Sequence, residues 1–430
     1  MLEPVPLTAP WKDDVTGPLT DAELVGAPPQ RMLAVELLAA PDYRHYWLGS
    51  TSFAIGIWAF LVSMGYSAKA LTDSPFRVSL VSVAYFTPMF LLALPSGVLA
   101  DARDRRRTVM VCRGASALVA VGLSALAFAG ALSYLALLVL CALTGATVVL
   151  EIAARQAYVT QVVRADQVAG ATALGSVQGG VARVIGPLVA GGLIALAGQA
   201  AGYLFFALAN AFCVLVFLRI KATGAPPRAP GRPVEELVEG LRYLRRTPDA
   251  LTVVAVSILT GVVGWTYLAL MPSVNKDVLH GGPVQLAVLS AAVGLGSVPP
   301  SILLAVRTGS PRFEGGLFYG STFAWGLGVI GYGLTSSTVV AVLALTVAGA
   351  GSGLQQVVMR TLLLRITDSA FHGRVMGTLM LTWGANVLGT LAGGGLAESF
   401  GVGAVIAGSG VLILAVPAAA LAVRPSTLHL

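Results

Sequence analysis

Charged residues and histidine are scarce in this sequence. Only 11% of the 430 residues are charged and four are histidine, whereas 56% are hydrophobic and the mean hydropathy is +0.82. This composition excludes an ordinary soluble domain, which needs a polar shell. Apolar runs of about 20 residues, rather than short alternating segments, predict membrane-spanning α-helices and exclude a β-barrel.

Cysteine is equally sparse. Cys112, Cys141 and Cys213 lie inside apolar runs without paired spacing, so we interpret them as packing residues and expect no metal site. The sequence also lacks a serine elbow and a phosphate-cradling loop, so we expect neither an enzyme, nor a cofactor, nor ATP-driven transport. The net charge of +7 comes from short basic clusters between apolar runs, which indicates membrane-flanking loops and no nucleic-acid partner.

The apolar runs predict about twelve spans in two sets of six. The first set lies near residues 46–70, 78–100, 108–130, 132–154, 168–196 and 200–219, and the second near 250–274, 284–306, 314–334, 337–363, 373–397 and 402–423. We therefore expect an N-terminal six-helix half (46–219), a central loop (220–249), a C-terminal six-helix half (250–423) and two tails (1–45 and 424–430). The first tail lacks the layout of a signal peptide.

Lysine and arginine are distributed unevenly between the loops. Loops after even-numbered spans carry most of them, including a cluster between residues 103 and 107. Loops after odd-numbered spans hold only Lys69, Arg77 and Lys276. Because cytoplasmic loops are enriched in lysine and arginine, both termini and the central loop are predicted to be cytoplasmic.

A segment of the fifth predicted span recurs in the eleventh. Residues 186–198 (GPLVAGGLIALAG) align without gaps to residues 389–401 (GTLAGGGLAESFG), an offset of 203 residues. Among the identical positions are Gly186 with Gly389, Gly191 with Gly394, and Gly198 with Gly401. The repeat agrees with the six-plus-six span count and predicts two related halves.

The loop between the second and third spans, residues 97–107, reads GVLADARDRRR. From the residues alone it is a basic anchor at the headgroups. Its order resembles the signature G-x-L-A-D-R-x-G-R-R of the major facilitator superfamily, although Ala102 and Asp104 depart from it. The D-R-R-R form is similar to the branch that contains the enterobactin exporter and macrolide efflux pumps. Further matches are DYRHYWLG (42–49), ARQAYV (154–159), ARVIGP (182–187) and GRVMG (373–377).

This resemblance implies a cytoplasmic gate that is closed when the pore faces outward. In the family the loop aspartate, here Asp101, caps the inner end of span eleven. The first arginine of the pair, here Arg105, meets a carboxylate at the inner end of span four, which implies Glu151. The predicted gate thus comprises Gly97, Asp101, Arg105, Arg106, Glu151 and Arg155. The alternative is static pairing of helix ends, and in either case such pairs are worth only about 0–1 kcal/mol each when solvated.

The predicted midplane of the membrane holds no carboxylate and no histidine, and Ile57 stands where relatives often have aspartate. The antiport that the resemblance implies, with protons as the coupling ion, therefore has no visible proton carrier. Arg183 is predicted to be the one charge deep in a span. Because a buried arginine needs a partner, we weigh a structural role against contact with an anionic group on the cargo.

Small residues accompany this arginine on the fifth span. Gly175, Gly179, Arg183, Pro187 and Gly191 follow at intervals of four and share one face, with Gly186 beside them. The stripe is similar to the fifth-helix motif of exporters and predicts close helix contact. The alternative is packing without a role in transport.

Other polar or aromatic residues in the spans are candidates for a substrate cavity. They are Trp58, Tyr66, Arg183, Trp265, Gln355, Gln356, Trp383 and Asn386. Aromatic rings with sparse amides suit a large amphiphilic cargo, although each ring is equally compatible with an interfacial position.

These features predict a monomeric secondary transporter of the cell inner membrane. It would export an amphiphilic small molecule, such as a drug, siderophore or secondary metabolite, by rocking one half against the other. Two alternatives stay open: an importer or lipid or metabolite facilitator on the same fold, and a transport-inactive receptor or scaffold.

Overall fold

The computed structural model describes residues 36–224, 233–306, 314–368, 371–379 and 381–430. The predicted all-α fold is confirmed, because these residues form helices and connecting turns and include no strand. Nine of the helical stretches among them are long and apolar enough to cross a membrane.

Sixteen main helices follow one another in the described part of the chain. The first seven are α1 (Pro41–Leu71), α2 (Pro75–Leu91), α3 (Ala93–Ala102), α4 (Arg105–Phe128), α5 (Tyr134–Val162), α6 (Val168–Ala197) and α7 (Gln199–Phe217). Helix α8 (Pro233–Arg246) lies in the predicted central loop. The remainder are α9 (Pro248–Gly264), α10 (Thr266–Ser273), α11 (Pro283–Val306), α12 (Glu314–Leu334), α13 (Thr338–Ile366), α14 (His372–Thr378), α15 (Leu381–Phe400) and α16 (Val402–Val423).

The predicted spans map onto these helices in order. Spans one to six are α1, α2 with α3, α4, α5, α6 and α7, and spans seven to twelve are α9 with α10, α11, α12, α13, α14 with α15, and α16. The second span breaks at Leu92, between α2 and α3. Pro95 has no N–H to bond the Leu91 carbonyl oxygen, and its ring clashes with that preceding turn. We name the two faces of the bundle by the predicted orientation: α8 lies at the predicted cytoplasmic face, and odd-numbered spans end at the predicted outer face.

Helix starts follow from local sequence. The side chains of Ser74, Asp104 and Ser133 accept hydrogen bonds from the first turns of α2, α4 and α5, which satisfies otherwise unpaired N–H groups. Helices α6 and α15 end at Gly198 and Gly401, whose φ angles of 76° and 83° lie in the left-handed region. These two glycines are an aligned pair of the sequence repeat, so the repeat predicts the same turn twice.

The two halves pack by the same rules. Helix α1 packs on α6 and α7, and its counterpart α9 packs on α15 and α16. Helix α4 packs on α5 and α7, as α12 packs on α13 and α16, and α2 lies against α5 as α11 lies against α13. Between the halves, α6 packs on α11 and α2 packs on α15, and a shift of six spans exchanges these two contacts. The predicted pseudo-symmetric halves are therefore confirmed.

The repeated glycines mark the closest helix contacts. A Cβ atom on Gly186 would lie 2.6 Å from the Ile55 carbonyl oxygen of α1, and one on its counterpart Gly389 would collide with the Val262 carbonyl oxygen of α9. Both glycines thus let the fifth span of a half approach the first span of the same half.

A second pair of aligned glycines, Gly191 and Gly394, lies where the two halves are in contact. A Cβ atom on Gly191 would lie 2.9 Å from the Pro283 carbonyl oxygen of α11, and one on Gly394 would lie 2.7 Å from the Ser79 Cβ of α2. A larger residue at either position would push the halves apart near the predicted outer face.

Candidate translocation site between the two halves

Arg183 lies at the centre of α6 and joins the two halves. Its Nη1 donates to the Ser297 hydroxyl of α11 at 3.4 Å, and its guanidinium carbon lies 4.9 Å from the centre of the Trp58 ring of α1. The α11 backbone comes close here because a Cβ on Gly294 would lie 2.8 Å from the Arg183 carbonyl oxygen. Two of the residues predicted to line a cavity, Trp58 and Arg183, are therefore brought together.

The partners of this guanidinium are electrically neutral. They are a hydroxyl and an aromatic ring, with Tyr267 of α10 also within electrostatic range. The Arg183 Nε atom is buried and has no hydrogen-bond partner among the described residues. A buried donor without a partner costs free energy that an anion in this position would recover.

An apolar cluster separates Arg183 from the predicted outer face. Eight of its members lie toward that face on three helices that meet at the boundary between the halves. They are Ala59 and Val62 of α1, Ala190 and Ile194 of α6, and Leu286, Leu289, Ala292 and Val293 of α11. In this conformation the cluster packs the two halves together on the outer side of Arg183.

Polar contacts continue the closure at the predicted outer face. Lys69, at the end of α1, has its Nζ 2.9 Å from Asp277 Oδ2 in the second half, and the same Nζ donates to the Asp73 carbonyl oxygen at 3.3 Å. Ser74 donates to Glu398 at the end of α15. We call Lys69, Asp277, Ser74 and Glu398 the outer latch. Sequence analysis treated Lys69 only as a loop charge.

The predicted pairing of Arg105 with Glu151 is not present in this conformation, and it stays a prediction for a state in which the pore faces outward. Glu151 is fully buried and forms ion pairs with Arg113 of α4 and with Arg155, whose Nε lies 3.0 Å from Glu151 Oε1. The reason is a boundary error: α5 continues to Val162, eight residues past the predicted end of span four at 154. Glu151 therefore lies about 16 Å inward from the end of its helix rather than at that end.

Arg113 is the buried charge that sequence analysis missed, so Arg183 is not the one charge deep in a span. The Arg113 side chain is fully buried; its Nη1 donates to Asn210 Oδ1 at 3.2 Å, and its guanidinium lies 3.1 Å from the centre of the Phe53 ring. A single arginine inside the otherwise apolar run 108–130 was the available signal. Together with Glu151 and Arg155 it forms what we call the buried charge cluster, in which four helices of the first half meet.

The other gate residues lie nearer the predicted cytoplasmic face. Arg105 is buried and its Nη1 donates to the Ala157 carbonyl oxygen of α5 at 3.2 Å, six residues beyond Glu151. Arg106 donates to the carbonyl oxygens of Phe217 and Leu218 at the end of α7. The Asp101 backbone belongs to the last turn of α3, and its side chain lies outside the described residues.

The predicted glycine contacts are only partly present. No described atom lies within 4 Å of a Cβ on Gly175 or Gly179, which corrects the expectation of close contact at these two positions in this conformation, and the same is true of a Cβ on Gly97 in the gate loop. The fifth-span contacts are made instead at Gly186 and Gly191, with Pro187 buried beside them. The packed part of α6 thus faces the predicted outer side.

The remaining cavity candidates contact their own half. Gln355 donates to the Ser257 hydroxyl at 3.4 Å, Asn386 accepts from Thr390 within α15, and Trp265 packs edge-on against Trp325 at 6.1 Å. Tyr66 packs at the margin of the apolar cluster, Gln356 is half-buried, and the Trp383 side chain lies outside the described residues. These three contacts lie within the second half, and the assignment of the three side chains to a cavity stays a prediction.

Comparison with known proteins agrees with this architecture. The family model described as "Transmembrane secretion effector" matches residues 35–428. The enterobactin exporter EntS of Escherichia coli is 26% identical over 385 residues, covering 87% of this chain and 90% of that protein. Its counterpart in Citrobacter koseri is 25% identical over 364 residues, covering 84% and 85%.

Solved structures share the fold. The nucleoside transporter NupG superposes with a TM-score of 0.71 at 14% identity, covering 89% of this chain and 98% of that one. A bacterial homologue of the human lysosomal transporter Spinster gives a TM-score of 0.67 at 17% identity, covering 94% and 98%.

Proposed function

This chain belongs to the transmembrane secretion effector family of the major facilitator superfamily, in the branch of the enterobactin exporter, and from that membership we propose that it is a secondary exporter of an amphiphilic small molecule. It is a multi-pass membrane protein. We infer the direction of transport from the relatives, because they are named as exporters. The proposed orientation has both tails and the central segment, residues 220–249, in the cytoplasm.

The mechanism we propose is alternating access, in which the halves 46–219 and 250–423 rock about their interface. The outer latch and the apolar cluster support this proposal because they close one side between the halves. Asp277 is 41% exposed, whereas Lys69 is only 4% exposed, so water reaches this ion pair from the aspartate side. A pair that is hydrated on one side can break and re-form in each transport cycle.

We propose that the cargo carries an anionic group and that Arg183 binds this group. This proposal rests on the buried Nε of Arg183, which has no hydrogen-bond partner among the described residues and lies between the halves beside Trp58 and Ser297. A carboxylate or a similar anion would pair with the guanidinium, and an aromatic part of the cargo would pack on the Trp58 ring. Such a molecule is amphiphilic.

The energy source we propose is the membrane potential acting on this anion. Moving one negative charge out of a cell with a negative interior gains about 2.3 kcal/mol per 100 mV. Proton antiport is the competing proposal, and it needs a carboxylate that binds and releases a proton. Glu151, the fully buried carboxylate of the described residues, faces two guanidiniums inside one half, which favours a structural role.

Inverted membrane vesicles test the proposed direction. An exporter accumulates cargo inside them, whereas an importer accumulates it only in right-side-out vesicles. A receptor or scaffold binds cargo and accumulates it in neither. Failure to accumulate any amphiphilic anion in inverted vesicles would contradict the proposed function.

A further inference from the structure

A pocket of about 340 Å³ lies at the predicted cytoplasmic face, away from the translocation site. It opens between the amphipathic helix α8 and the beginning of the eleventh span. Its lining consists of Glu239, Arg242, Tyr243, Arg246, Phe371 and Arg374. Three guanidiniums thus face one small space, which neither the gate nor the cargo site uses.

The pocket has a rigid frame. The rings of Tyr243 and Phe371 stack with centres 4.3 Å apart, and the Tyr243 hydroxyl donates to Asp368 Oδ2 at 3.2 Å while accepting from the Asp368 backbone N–H. Arg374 Nε lies 3.0 Å from Glu239 Oε2, and the Arg374 guanidinium lies 5.1 Å from the Phe371 ring centre. These contacts fix α8 against α14.

The charges in the pocket are unbalanced. Glu239, the carboxylate that lines the pocket, already forms an ion pair with Arg374. Arg242 and Arg246 are exposed, lie one turn apart on the same face of α8, and have no ion-pair partner in the described ranges. Like charges at this spacing repel each other, and an anion between them reverses that effect.

The position of α8 indicates what kind of anion fits. Helix α8 ends at Arg246, and α9, the seventh span, begins two residues later at Pro248. The pocket therefore lies at the level where two spans enter the membrane. Val238 and Leu241 are exposed on the same helix, as expected for a helix that lies in the headgroup region. Basic groups at this level attract anionic lipids of the cytoplasmic leaflet.

We propose that this pocket binds the phosphate of an anionic phospholipid through Arg242, Arg246 and Arg374. The bound headgroup ties the central helix to the start of the eleventh span, at the face where the family's gate would close. The proposal uses the cytoplasmic orientation of this face and is independent of the identity or direction of the cargo.

The test is thermal unfolding of the purified full-length protein in neutral detergent with added lipid. We expect phosphatidylglycerol to raise the unfolding temperature by about 2 °C or more, and phosphatidylcholine to leave it unchanged. The double variant Arg242→Gln/Arg246→Gln should lose this rise. The matched control Arg245→Gln changes an exposed arginine of the same helix outside the pocket and should keep it.

Two outcomes overturn the proposal. An equal rise with phosphatidylglycerol in the double variant and in the unmodified protein would place lipid binding elsewhere. A rise with inorganic phosphate as large as that with phosphatidylglycerol would make the site one for soluble phosphate. Native mass spectrometry independently counts the lipid molecules bound to the protein. The double variant should retain one phosphatidylglycerol fewer than the control.

Discussion

Lys69 and Asp277 form an ion pair across the two halves, with 2.9 Å between Nζ and Oδ2, although 208 residues separate them in the chain. They occupy related places, since one lies near the end of the first span and the other near the end of the seventh. Each half therefore contributes the end of its first helix to the closure of the predicted outer face.

Removing this pair should open the outer face. Because Lys69→Met deletes the charge that holds Asp277, we expect a larger population with separated outer ends. Spin labels at Ala131→Cys and Ser336→Cys, on outer loops of opposite halves, report the distance. The three native cysteines are buried, which limits background labelling.

Lys69→Arg keeps the charge and is the matched control. Its distance distribution should stay close to that of the unmodified protein. Identical distributions for Lys69→Met and Lys69→Arg would mean that the ion pair does not hold the outer face closed.

The buried charge cluster should stabilise the first half. Glu151→Gln leaves Arg113 buried without its counter-charge, so we expect a loss of about 3–5 kcal/mol in the free energy of unfolding. Arg155 is 23% exposed and can be hydrated, so the loss comes mainly through Arg113. The measurement is denaturant unfolding in detergent.

A double variant separates pairing from simple packing. Arg113→Met combined with Glu151→Gln removes both partners and should unfold at a higher denaturant concentration than Glu151→Gln alone. Strictly additive losses would show that the two side chains do not stabilise each other.

The fold could be predicted from the sequence to a large extent because lipid imposes simple rules. Apolar length predicts a span, and the aligned glycines predict the two contacts that each half repeats. The partner of Glu151 could not be predicted, because an eight-residue error in the end of α5 changes the depth of its side chain and therefore the arginine that it meets. The outer latch was missed because its residues lie far apart in sequence and only tertiary packing brings them together.

The gate loop can be distinguished from a basic anchor. Arg105→Ala should slow transport at least tenfold with normal membrane insertion, because Arg105 is buried and binds the α5 backbone. Arg107→Ala removes an exposed arginine from the same loop and should change transport less than twofold. Equal effects of the two variants on transport would mean that the loop acts only as a basic anchor.

The driving force can be isolated in proteoliposomes. With the proposed anionic cargo, a potassium diffusion potential that mimics a negative cytoplasm should drive transport at equal pH on both sides, since each charge gains about 2.3 kcal/mol per 100 mV. A pH gradient of the same free energy without a potential should drive little. Transport that follows only the pH gradient would support proton antiport instead.

We propose above all that Arg183 binds an anionic group of the cargo between the two halves. Its most direct test is the affinity of purified Arg183→Gln and Arg183→Lys for an amphiphilic aromatic carboxylate and for its neutral methyl ester. Because a charged hydrogen bond contributes about 1.5–3 kcal/mol, we predict that Arg183→Gln weakens carboxylate binding at least tenfold and ester binding less than twofold, with an unchanged unfolding temperature. Arg183→Lys should retain part of the carboxylate affinity. Equal losses for carboxylate and ester, together with a lower unfolding temperature, would show that Arg183 does not bind an anionic group and is a structural residue.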